Sequence, residues 1–136
     1  MTLHRSNELF RASGLTLNSS SDTVTAGTTN LLDGSTTGLI NISKISNGLL
    51  VVSTANAPTG TSPTLAVFFD VKDALGNWCL VSNATAISGA VLNSSGTTYG
   101  NISTGYQLTD VGRIRWTIGG SSSPTFTGIS LSLYGR

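Results

Sequence analysis

Alternating apolar runs, broken roughly every ten residues by clusters of Gly, Asn, Ser or Pro, confine this chain to a layered β-structure. Leu65, Val67, Phe69 and Val71 fall on one side of a period-two stretch. Ile114, Trp116 and Ile118 alternate with Arg113 and Arg115, and Ile129, Leu131 and Leu133 alternate with serines and Tyr134. Period two places such residues on one face of a strand. Leu39–Ile45 and Leu49–Thr54 flank Asn47-Gly48, the strongest hairpin signal in the chain. Thr23–Thr25, Trp78–Ser82 and Ala84–Leu92 are further strand candidates, with a turn at Leu75-Gly76-Asn77, while Tyr99–Leu108 is weakly patterned. The connections are too short for parallel crossovers, so the strands are expected to pair antiparallel. The fold expected is an all-β antiparallel β-sandwich, jelly-roll or immunoglobulin-like, with about eight strands and an N-terminal arm.

A chain of 136 residues suits one domain. Residues 1–14 stand apart from the body at 15–136, because Met1–Arg11 holds His4, Arg5, Glu8 and Arg11 in an otherwise charge-poor sequence. Ser6 can cap one helical turn that presents Leu9 and Phe10, and so short a helix needs a surface to order on. The segment is therefore read as an arm that binds a partner through Leu3, Arg5, Leu9, Phe10 and Arg11.

Charged side chains make up only 10% of the chain, against about 25% in ordinary domains. Thr, Val and Ile carry the pattern instead, and uncharged hydroxyls solvate a surface without repelling a neighbouring subunit. A formal charge of +1 with no basic cluster argues against nucleic acid as a partner. No stretch has the length and apolarity of a membrane span or of a signal peptide, which points to synthesis in the cytoplasm. Cys79 is the only cysteine, which rules out an intrachain disulfide, and it is expected to be a small buried hydrophobe. His4 is the only histidine, so a Ser-His-Asp arrangement would hang on the arm. Asp70 and Asp73 bracket Lys72 and are read as a solvated hairpin end rather than a carboxylate pair or calcium site. No catalytic residue, metal site or cofactor is expected. Trp78 and Trp116 are assigned to the core, and with Tyr99, Tyr106 and Tyr134 they form the alternative, a carbohydrate platform.

Gly60-Thr-Ser-Pro63-Thr64-Leu65 is echoed by Gly120-Ser-Ser-Ser-Pro124-Thr125-Phe126, each placing a proline where a strand is expected to open. Together with Gly76-Asn-Trp78 and Gly112-Arg-Ile-Arg-Trp-Thr-Ile-Gly-Gly120, these segments resemble small structural proteins of tailed bacteriophages. The resemblance covers about the C-terminal half and rests on turn and strand residues. It implies a virion component, most specifically a capsid cement (decoration) protein. Such a protein would bind the outer surface of the major capsid protein shell, made in the host cytoplasm and self-associating as a homotrimer. A neck or tail component, or a carbohydrate-binding host-attachment module, are the alternatives.

Overall fold

Strand β8, Val111–Gly135, runs for 25 residues and is shared by both layers of the molecule. The computed structural model describes residues 6–19, 28–81, 91–92, 96–102 and 107–136, and their regular structure is entirely β. The other strands are β1 (Asn7–Leu17), β2 (Leu39–Asn41), β3 (Gly48–Thr54), β4 (Thr59–Lys72), β5 (Trp78–Leu80), β6 (Val91–Leu92) and β7 (Gly96–Ile102). All pairings are antiparallel. The C-terminal half of β8 lies between β1 and β3, and β7 extends that layer beyond β3. The N-terminal half lies between β2 and β4, with β5 and β6 on the far side of β4. The two layers close on one core, as in a β-sandwich.

The core follows the period-two pattern. Leu65, Val67, Phe69 and Val71 of β4 meet Ile114 and Trp116 of one half of β8. Leu50 and Val52 of β3 meet Phe126, Ile129, Leu131 and Leu133 of the other half. At roughly 1.5–3 kcal/mol for each fully buried large apolar side chain, this alternation supplies the main driving force for closing the layers. The Trp116 indole N–H donates to the Ser19 carbonyl at 2.9 Å, so its polar edge is satisfied at the rim of the core.

The echoed Gly-Ser-Pro segments are partners in space. Thr59 pairs with Thr125, Thr61 with Ser121 and Thr64 with Gly119, with register shifts between these positions. A Cβ on Gly60 would lie 2.8 Å from Pro124 Cα, and one on Gly120 would lie 2.8 Å from the carbonyl oxygens of Thr61 and Ser62. Both glycines have positive φ (103° and 112°), as do Ser62, Ser122 and Ser123. Pro63 and Pro124 therefore sit inside strands at a paired irregularity, not at strand openings. Bulges of this kind bend a strand and let it change sheets. This one lies where β8 passes from one layer to the other.

Two expectations are corrected. Asn47-Gly48 makes no hairpin, because β2 and β3 both pair with β8, in opposite halves. The intervening segment crosses the sandwich, burying Ile42, and the amides of Ser46 and Asn47 donate to the Arg136 carbonyl. Asn41 ends β2 early by accepting from the Ser43 amide and hydroxyl at 3.0 and 2.7 Å. Nor are residues 7–14 a detached arm or a helical turn: they belong to β1, and Phe10, 1% exposed, is core. At Leu9–Arg11 the outer edge of β1 is covered by a turn. Asn30, itself buried, accepts from the Arg11 amide and donates to the Leu9 carbonyl, both at 3.3 Å, while the Leu31 amide donates to the Arg11 carbonyl at 2.8 Å. That contact protects an edge that would otherwise be open to further pairing.

Gly120→Ala should lower stability by about 2–4 kcal/mol, since it combines a strained φ with a clash against two carbonyls. Urea denaturation of this variant beside Ser121→Ala, expected to lie within about 0.5 kcal/mol of the parent, provides the check.

Candidate binding face

The outward-facing residues of the second layer, which holds β2, β4, β5, β6 and the N-terminal half of β8, assemble a polar and aromatic cluster. Its register is fixed by three pairings: Asp70 opposite Leu80, Asp70 opposite Arg113, and Arg113 opposite Leu39. The row Leu80–Asp70–Arg113–Leu39 thus crosses four strands, about 14 Å at ordinary inter-strand spacing. Beside it, Trp78 lies opposite Lys72 and Phe68 opposite Arg115.

Asp70 is the centre of this face and is only 2% exposed. Its Oδ2 accepts from Arg113 Nε at 3.0 Å and from Arg115 Nε at 2.8 Å, and its Oδ1 accepts from Arg115 Nη2 at 3.3 Å. Each guanidinium is also laid on an aromatic ring: Arg113 sits 4.4 Å from the Trp78 centroid and Arg115 4.6 Å from that of Phe68. The Lys72 ammonium approaches the same Trp78 ring at 5.7 Å. Cation–π contact and shared hydrogen bonding to one carboxylate hold both arginines in fixed orientations. At the two ends of the row, Leu80 and Leu39 are 39% and 46% exposed.

The turn into β5 is built by Asp73, which accepts from the amides of Leu75 and Asn77 at 2.8 Å. Those backbone donors, Asn77 foremost, hold its carboxyl below the usual carboxylate range. The turn brings Trp78 back beside Lys72, and a shallow recess lined by Lys72, Asp73, Thr109 and Asp110 opens at this end of the face.

Asp70 and Asp73 are therefore not a joint solvated end: Asp70 is buried in an ion triad and Asp73 caps a turn. Trp78 is half-buried on the outer face rather than in the core, and Cys79 is exposed on β5, whereas Trp116 is buried. Of the five residues expected to bind through an arm, the three that are described belong to strand β1. Leu3 and Arg5 lie outside the described residues, Leu9 packs against the core and Phe10 is within it. Arg11 is on the outer face of the first layer, where its Nη2 lies 2.5 Å from Glu8 Oε1. Burial alone would raise the Glu8 carboxyl, but the donors Arg11 and Ser132 outweigh it and hold it below its ordinary value. Of the strand candidates, Thr23–Thr25 lies outside the described residues, as does most of Ala84–Leu92, and Tyr106 also falls there.

The pairing of Arg113 with Arg115 on one strand face was visible in the alternation of β8, but their partner Asp70 was not. That residue reads as one polar position in an apolar run until the register between β4 and β8 is known.

Removing the central carboxylate alone leaves two mostly buried guanidiniums without a counter-charge. Asp70→Ala should therefore destabilise by about 3–5 kcal/mol, while replacing Asp70, Arg113 and Arg115 together by leucine should recover most of that loss. Urea, which leaves ionic strength unchanged, is the denaturant for this comparison.

No family model matches the chain, and no curated protein sequence is significantly similar to it.

Proposed function

We propose that the chain is a virion structural protein that docks on the major capsid protein shell through the outer face of its second layer, cementing the head as a homotrimer. One observation carries this reading. The row Leu80–Asp70–Arg113–Leu39, with Trp78 beside it, has the make-up of an interface centre. Tryptophan and arginine are the residue types most enriched at interface hot spots, and here they flank a desolvated ion pair and two exposed leucines. Gly76-Asn-Trp78 and the Arg113–Arg115 segment, which carry the resemblance to phage structural proteins, supply this same face. The mechanism is burial of area across neighbouring shell subunits, and it requires no turnover. On this reading the contact residues are those of the sheet face rather than a free arm. A neck or tail location differs in copy number and ring symmetry.

A second reading, carbohydrate binding, is favoured by Tyr99. It is 64% exposed on β7, and its neighbour Val51 is paired in turn with Ser132. An exposed ring on a hydroxyl-bearing face is suited to stacking on a sugar.

The test is rebinding to purified phage heads that lack the chain. The parent is expected to bind at hundreds of copies per head, on the order of one trimer per local three-fold axis. A Leu39→Glu/Leu80→Glu variant should lose binding with its thermal midpoint unchanged, because both leucines are already exposed. Binding at a dozen copies or fewer would move the protein to the neck or tail. No binding, with glycan affinity lost in Tyr99→Ala, would establish the second reading instead.

A further inference from the structure

Resting on the docking face just proposed, the geometry points to a carboxylate as the group it captures: we propose that an acidic, apolar-flanked loop of the partner protein seats an Asp or Glu side chain on the terminal N–H groups of Arg113. The two arginines of the face are not equivalent. Arg115 gives both Nε and Nη2 to Asp70 and so keeps no uncommitted pair of terminal nitrogens. Arg113 gives Asp70 only its Nε, and its two terminal nitrogens have no acceptor among the described residues. No buried side-chain nitrogen or oxygen among those residues lacks a partner, so the terminal nitrogens of Arg113 are not sealed from solvent. The guanidinium is nonetheless held in place, stacked on Trp78 at 4.4 Å and anchored through Nε, with its side chain 15% exposed. A guanidinium fixed in this way offers a planar pair of donors to a carboxylate without losing much rotamer freedom.

Charge on the face supports the same occupant. Lys72, Arg113 and Arg115 surround one carboxylate, Asp70, so the centre of the face carries a cationic excess. Of the two other acids nearby, Asp73 is bound into its own turn, and Asp110 lines the recess beside Lys72 rather than the row that holds Arg113. A protein loop fits better than a nucleic acid backbone. One open guanidinium cannot track a run of phosphates, whereas Leu39 and Leu80 offer apolar contact on either side of the donor pair.

The probe is a capped tetrapeptide, leucine–glutamate–glutamate–leucine, titrated into the full chain while the Trp78 indole and Arg113 Nε resonances are followed by NMR. Inorganic phosphate and the peptide's glutamine counterpart are titrated in parallel. Saturable shifts at Trp78 and Arg113 are expected with the glutamate peptide, weakening with added salt, as screening demands. The glutamine peptide should bind at least about tenfold more weakly, as the loss of a charge-assisted fork implies. Arg113→Lys, which keeps the charge but not the stacked fork, should also weaken binding by about tenfold. In that variant Arg115 still pairs with Asp70, so the fold is retained. Equal shifts with the glutamine peptide, or phosphate binding as tightly as the glutamate peptide, would overturn the proposal. Rebinding to heads separates the two readings. If Arg113→Gln binds heads as well as the parent while Leu39→Glu/Leu80→Glu does not, the docking face stands and the carboxylate is refuted.

Discussion

A single strand can belong to two facing layers only if it bends sharply without losing its partners, and the paired irregularity between Gly60–Pro63 and Gly120–Pro124 meets that condition. Each segment places a positive-φ glycine against the backbone of the other, so the bend in β8 is matched by one in β4. Thr61 Oγ1 donates to Ser122 Oγ at 3.2 Å across this corner. Because proline removes a ladder donor, Pro63 and Pro124 are tolerated at the irregularity itself, where pairing is already interrupted. The consequence is that every other strand except β7, which pairs with β3, is ordered by pairing with β8 or with β4.

This arrangement also positions the outer face. Confining the irregularity to residues 119–125 leaves the first half of β8 in unbroken register with β4, which puts Arg113 and Arg115 opposite Asp70 and Phe68. The ion triad is thus held by two long strands rather than by loops, and rigid placement favours recognition because little ordering remains to be done on binding. The outer edge of the other layer is treated differently: Asn30 and Leu31 occupy the free side of β1 and block further strand addition there. The docking proposed above accordingly uses a sheet face instead of that edge.

Much of the architecture was legible in the alternation. The inward sets on β4 and on both halves of β8 could be read directly, because burial on one face imposes period two. What local sequence could not carry was pairing. Asn47-Gly48 has hairpin chemistry, yet β2 and β3 each find a longer partner in β8, and the intervening residues are used to cross the sandwich. Charge separated Met1–Arg11 from the body, but Phe10 and Ala12 have the period-two spacing of an inward strand face and are buried accordingly. Trp78 was assigned to the core because it falls in an apolar strand run, although its register opposite Lys72 places it outside, where a ring and a cation stabilise each other. The candidate face was half visible, in Arg113 and Arg115. Its centre, Asp70, emerges only with the register.

The claim that one shared strand unites both layers is tested most directly by native-state hydrogen exchange in increasing urea, read at individual amides of β8. If the corner makes the layers one cooperative unit, protected amides of 111–119 and of 126–135 will exchange with the same opening free energy, equal to that of global unfolding. If one half opens at a substantially lower free energy while the other stays protected, the layers are separate units and the shared-strand account is wrong.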